Sequence, residues 1–210
     1  EEDKYIAVNR KAYARIATAY HERTKNLDMF WQLEMFMSML PAQGKVFDFM
    51  SGPPRDARSF LGRGFQVTCM DYEQQFLEMI MRDAPDAKVV QGDARTVDLN
   101  EEFDGLWCNA GIFMLPHSET DRVLENIARH LKPQGALYCN VKLYDPASRV
   151  AQRVFDDTKY GVQRYEVFFS PEPFKSKLEP FFELKREMIA YAQNPAYRTH
   201  PLLDVFAVKR

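Results

Sequence analysis

Lys45-Val46-Phe47-Asp48-Phe49-Met50-Ser51-Gly52-Pro53-Pro54 and, a few residues on, Phe65-Gln66-Val67-Thr68-Cys69-Met70-Asp71 decide the fold. Each is a short apolar run that closes near an acid, and Asp71 follows Asp48 by 23 residues. The intervening stretch opens with a proline pair. Proline suits the first turn of a helix, where the N–H it lacks would go unpaired anyway. Gly62 and Gly64 are placed to close that helix with positive φ angles. Strand, turn, helix and strand make a βαβ unit. An acid at the end of its second strand can accept hydrogen bonds from ribose hydroxyls.

The pattern continues outward in both directions. Upstream, Tyr13, Ile16, Ala17 and Tyr20 follow helical spacing, which predicts an amphipathic helix over residues 5 to 23. Residues 28 to 40 predict a second helix with Asp28 as N-cap and Pro41 as its stop. Its apolar groups lie on nearly every side, which implies heavy burial. Downstream, residues 73 to 82 form a helix with Phe76, Leu77, Ile80 and Met81 on one face. Lys88-Val89-Val90 is a third strand and Phe103 to Cys108 a fourth. Ser118-Glu119-Thr120-Asp121 resembles a capping box before a helix that buries Val123, Leu124, Ile127 and Leu131. Lys132-Pro133-Gln134-Gly135 is a turn, and Ala136 to Lys142 a fifth strand.

The last third differs. Ser170-Pro171 starts a short helix, then Phe182 to Ala190 and Leu202 to Lys209 are strand-like. The link between those two is too short for a crossover helix, so they pair antiparallel. The expected fold is α/β: a doubly wound, mostly parallel, seven-stranded sheet with helices on both faces and a C-terminal antiparallel hairpin. One domain covers residues 1 to 210. It divides into an N-terminal helical cap (1 to 41), a cofactor-binding core (42 to 145), and a substrate region with the hairpin (146 to 210).

Bulk properties narrow the function classes. The chain has 210 residues, 46% hydrophobic and 28% charged, with a formal net charge of −2. That balance argues against a strongly basic nucleic-acid surface. No apolar stretch is long enough to span a bilayer. Glu1-Glu2-Asp3-Lys4 does not read as a signal peptide. Cys69, Cys108 and Cys139 each sit inside an apolar run, as buried thiols do in a reducing cytoplasm, and their spacing does not suit a metal site.

Taken in order, the segments resemble the class I S-adenosylmethionine-dependent methyltransferases. The likeness covers about residues 45 to 145 and extends loosely to the hairpin. Val46 to Ala57 looks like the family's first motif, and Val67-Thr68-Cys69-Met70-Asp71-Tyr72 like its ribose-binding motif. Gln91-Gly92-Asp93-Ala94 resembles the segment that meets adenine, and Phe103 to Ala110 the fourth-strand motif. Leu131 to Leu137 resembles the turn and strand that follow. The first motif departs from the family pattern: of three glycine positions only Gly52 is glycine, while Met50 and Pro54 fill the others. Met50 places bulk beside the path of the cofactor's carboxypropyl arm.

The resemblance implies S-adenosylmethionine as cofactor, S-adenosylhomocysteine as product, and a small-molecule acceptor. Asp71 would take the ribose hydroxyls, with Tyr72 beside it. Asp93 would accept from the adenine amino group, with Gly92 and the Ala94 N–H nearby. Asp48 would hold loop amides or, through water, the ligand's ammonium. Met50, Ser51 and Gly52 would form the close turn, and Asn109 and Ala110 would meet the methionine portion. Tyr13 and Tyr20 would close the site from the N-terminal helix, although packing explains them equally well. No residue announces itself as a general base; His117 is the nearest candidate, and a surface loop histidine explains it better. Tyr144, Tyr160, Tyr165, Phe168 and Phe169 would line a substrate pocket or serve as core. A second reading is a protein that binds S-adenosylmethionine or S-adenosylhomocysteine without turnover. A nicotinamide-dependent oxidoreductase fits less well, because a pyrophosphate needs more glycine in the turn.

Overall fold

A computed structural model describes residues 2–144, 150–191 and 200–210. Seven strands form one sheet in the order β3-β2-β1-β4-β5-β9-β8. They are β1 (Lys45–Phe49), β2 (Gln66–Asp71), β3 (Lys88–Gln91), β4 (Phe103–Cys108), β5 (Leu131–Lys142), β8 (Phe182–Ala190) and β9 (Leu202–Lys209). The first five run parallel, and β9 is antiparallel to both β5 and β8. The expected sheet and hairpin are therefore present, with β9 inside and β8 at the edge. A separate antiparallel pair, β6 (Gln152–Asp157) with β7 (Val162–Val167), was not foreseen.

Period-two alternation sorts each strand's side chains onto the two faces. Phe47, Phe49, Leu106, Cys108, Leu137 and Cys139 meet one layer, which holds Ile6 of α1 (Glu2–Thr24), Ile127 of α5 (Thr120–Arg129) and Phe174 of α6 (Pro171–Leu178). Val46, Cys69, Trp107, Tyr138 and Phe206 meet the other. That layer holds Phe36 of α2 (Phe30–Met37), Phe60 of α3 (Arg55–Leu61) and Ile80 of α4 (Gln74–Asp83). Strands buried on both faces explain why the core reads as continuous apolar runs.

Several local expectations need correction. α2 covers Phe30–Met37 rather than residues 28 to 40, and it is not heavily buried. Leu33 and Phe36 face the sheet, while Phe30 is 65% exposed and Trp31 37% exposed. Apolar groups all round a short helix cannot all be covered when only one side meets the sheet. Asp28 does accept the Phe30 N–H at 2.8 Å. Met81 is exposed, and Met79 takes its place on the buried face of α4. Gly62 stays in the right-handed region; Gly64 alone of that pair has positive φ, at 84°. Ser118 does not cap α5: a 3₁₀ turn at His117–Glu119 precedes the helix, and Glu119 pairs instead with Arg95 at 3.5 Å. The turn at residues 132–135 is absorbed into β5 as an irregularity, with the register shifting between Phe103 and Gly105 on the facing strand.

Candidate functional site

A cavity of about 460 Å³ opens at the carboxyl ends of the parallel strands, between them and α1. Its floor is the turn after β1. Gly52 has φ +61° and its N–H donates to Asp71 Oδ2 at 2.8 Å. Met50 keeps the left-handed backbone that glycine usually supplies, with φ +57°. Its side chain lies against Gly111, where an added Cβ would stand 2.9 Å from the Met50 sulfur. Gly111 thus makes room for the bulk at position 50. Pro54 caps α3 and its carbonyl accepts from the Arg58 N–H at 3.0 Å, so the missing N–H costs the helix nothing. The Ser51 hydroxyl lines the cavity, buried and without a hydrogen-bond partner among the described residues.

Asp71 ends β2 on the cavity wall. Its Oδ2 accepts from Gly52 and its Oδ1 from the Glu73 N–H, both at 2.8 Å. Burial pushes its pKa up to about 6, against the pull of those backbone donors. A carboxylate has roughly four acceptor positions, so about two remain for a ligand. Tyr72 follows, and the Arg10 guanidinium of α1 lies 3.4 Å from the centre of its ring. Arg10 also reaches Asp93 at 2.8 Å, where Arg95 adds a two-nitrogen contact at 2.9 and 2.8 Å. Burial would raise the Asp93 pKa; the two arginines reverse that and hold it below the usual value. Gly92 and Ala94 flank it on the wall.

Asn109 and Ala110 follow β4 and join a buried polar chain. The Asn140 Nδ2 donates to Asn109 Oδ1 at 2.9 Å, and its Oδ1 accepts from the Ala110 N–H at 2.7 Å. Asn109 Nδ2 and Trp107 Nε1 both donate to Asp56 Oδ2, at 3.1 and 2.9 Å. Deeper in, Tyr138 and Gln32 donate to Asp204. Burial alone would raise the Asp56 pKa, but the Arg55 pair and these donors hold it below the usual range.

The structure corrects the expectation for Asp48 and decides the alternatives left for His117 and the aromatic group. Asp48 does not reach the cavity: it lies 2% exposed beneath it, with the Cys69 thiol 4.0 Å away, and burial followed by the nearby Asp56 pushes its pKa well up. Asp56, which no local motif marked, is the acid on the wall. His117 does not line the cavity; it packs on Phe169, with the Ala151 carbonyl at 3.2 Å. Of the five aromatics read as pocket lining or as core, Tyr160 alone lines the cavity. Tyr165, Phe168 and Phe169 are core, and Phe155 of β6 stands on the wall instead. Tyr13 and Tyr20 do line it, edge to face at 5.3 Å, with Arg164 donating to the Tyr13 hydroxyl at 2.5 Å.

Residues 46–135 match the family model described as a methyltransferase domain. Among curated proteins, the chain is 27% identical over 105 residues to dTDP-4-amino-2,3,4,6-tetradeoxy-D-glucose N,N-dimethyltransferase of Saccharopolyspora spinosa, covering 49% of this chain and 42% of that protein. It is 30% identical over 112 residues to a cypemycin N-terminal methyltransferase of a Streptomyces species, covering 51% and 45%. The matched segments span less than half the length of these relatives. Among solved structures, 1,6-didemethyltoxoflavin-N1-methyltransferase of Burkholderia thailandensis superposes with TM-score 0.75 at 19% identity, covering 100% of this chain and 90% of that one. In residues 46–135 the chain is thus similar to a methyltransferase domain, and its sheet order fits that likeness.

Proposed function

We propose that the chain transfers the methyl group of S-adenosylmethionine to a small-molecule acceptor and releases S-adenosylhomocysteine. One observation carries this reading: Asp71, with acceptor positions to spare, faces a single cavity that runs from the Met50–Gly52 turn to the β6–β7 pair. The unpartnered Ser51 hydroxyl fits a polar ligand in the same turn. Asp71 would accept from the ribose hydroxyls, Tyr72 and Asp93 would meet the adenine, and Asn109 and Ala110 the methionine portion. Asp56, ion-paired to Arg55, would set the charge beneath that portion.

The cofactor supplies an already activated methyl group. What remains for the protein is to hold the nucleophile in line and keep water out. Tyr13 and Tyr20 of α1 and Tyr160 beyond β6 would roof the site. Asp56 and Glu166 are both occupied by cations, so neither is free to take a proton. An acceptor that reaches the site unprotonated fits that environment. Two of the named proteins are described as methylating nitrogen and the third as methylating an N-terminus, which makes a nitrogen acceptor the first to test. A small molecule suits the near-neutral charge better than a nucleic acid. The three buried free thiols suit a cytoplasmic setting, and no described helix is long and apolar enough to cross a membrane.

Calorimetry with S-adenosylhomocysteine tests the binding half; micromolar affinity, about −8 kcal/mol, is expected. No binding at millimolar ligand rejects the reading. Transfer of labelled methyl from the cofactor to an acceptor in a metabolite extract tests turnover. Binding without transfer favours the alternative of a non-catalytic binding protein, for which Met50, Pro54 and the Arg10 contact speak.

A further inference from the structure

The cavity's far half holds a charge cluster that methyl transfer does not use. We propose that Lys142, Arg153 and Glu166 form an anion subsite that takes a carboxylate or phosphate of the acceptor. The identity of the bound molecule as acceptor rests on the methyl-transfer reading; the subsite itself does not. Lys142 ends β5, Arg153 lies on β6 and Glu166 on β7, and all three line the cavity.

Glu166 is 2% exposed and both its oxygens are engaged. Lys142 Nζ donates to Oε2, while Arg153 Nε and Nη2 donate to Oε1 at 2.9 and 2.7 Å. One buried negative charge between two cations leaves one positive charge in excess. The neighbouring charges do not cancel it. Arg164 is balanced by Asp157 at 2.9 Å, and Asp156 is exposed beside Gln163 at 3.2 Å.

Unused donors point the same way. The Lys142 ammonium has three N–H groups and one acceptor among the described residues; its other neighbour is the Phe113 ring, 4.9 Å to the centre. Arg153 Nη1 has no acceptor among them either, and its guanidinium stands 5.2 Å from the Phe155 ring centre. A ligand amine would have to displace a cation from Glu166, and displacing Lys142 would leave its ammonium largely buried and unpaired, which is costly. An anion instead adds acceptors where donors are spare, and such charge-assisted bonds are strong away from bulk water. Phe113 and Phe155 beside the cations fit an apolar body attached to the anion.

Benzoate, phenyl phosphate and benzylamine, titrated into the whole chain and read by ligand-observed NMR, test the subsite. S-adenosylhomocysteine affinity and thermal midpoint are measured on the same samples. Benzoate or phenyl phosphate is expected to saturate, and the preferred one identifies the anion. Lys142→Met and Arg153→Met should each weaken it at least tenfold, Lys142→Arg should retain it, and benzylamine should not bind. Arg153 is the more exposed cation, so Arg153→Met decides if Lys142→Met does not fold. Preference for benzylamine, no saturation by either anion, or undiminished anion binding in a folded Met variant overturns the subsite. Anion binding without S-adenosylhomocysteine binding would sink the methyl-transfer reading and leave the subsite standing.

Discussion

Asp71 serves the fold and the ligand with one carboxylate. Its two accepted backbone N–H groups fix the turn at Gly52 and the start of α4, and its remaining lone pairs face the cavity. Asp71→Ala should weaken S-adenosylhomocysteine binding by about 2 kcal/mol, roughly 30-fold, in calorimetry; an unchanged affinity would place the nucleoside elsewhere. The same group makes binding depend on pH. A ribose diol donates to the ionised carboxylate, so affinity should fall as pH drops through about 6, and Asp71→Asn should flatten that limb. Stability responds in the opposite sense. Unfolded, the carboxyl titrates near about 3.9, so between that value and about 6 the folded chain holds the extra proton. The group's contribution favours the fold most at the acid end of that window and is lost as pH rises through it. Asp71, Gly52 and Asp93 were legible because each belongs to a short motif at a strand end. Asp56 was not, since an acid one residue after Arg55 in a helix looks like any solvated pair. Only the fold shows that Trp107 and Asn109 converge on it.

At the scale of elements, α1 both roofs the cavity and competes for it. Arg10 covers the Tyr72 face and holds Asp93, the two groups assigned to adenine. A bound nucleoside must move it, so Arg10→Ala should bind S-adenosylhomocysteine more tightly, by about 1 kcal/mol if the stacking and ion pair count as usual. Weaker binding would show instead that Arg10 assists. One residue earlier, Asn9 ties α1 down: its Nδ2 donates to Met114 O and Tyr165 O, and its Oδ1 accepts the Tyr165 N–H. Asn9→Ala should cost about 3 kcal/mol in urea unfolding, near 1 for each buried bond; a loss under half of that would mean that water replaces the amide. Helical spacing revealed α1, but not that its partner is β7, because β6 and β7 alternate weakly and carry charged residues on the cavity side. α2 misled for a related reason: composition tells how apolar a helix is, not how many of its sides have something to touch.

For the whole molecule, the mostly parallel sheet was legible in the sequence because strand-like runs alternate with helices, although the β3–β4 crossover carries no helix. The hairpin pairing followed from its short connection. What the sequence could not show was the seam where β9 enters the sheet between β5 and β8. That placement has a consequence for biosynthesis. β5 and β8 leave the ribosome before the strand that joins them, so each waits with an unpaired edge until residues 202–209 emerge. A chain stopped after residue 190 should therefore stay on chaperones or precipitate. A soluble, S-adenosylhomocysteine-binding truncation would show that the nascent sheet tolerates its gap. Slow elongation over this last stretch would prolong exposure of β5, whose Leu137, Cys139 and Val141 are wholly buried once synthesis is complete.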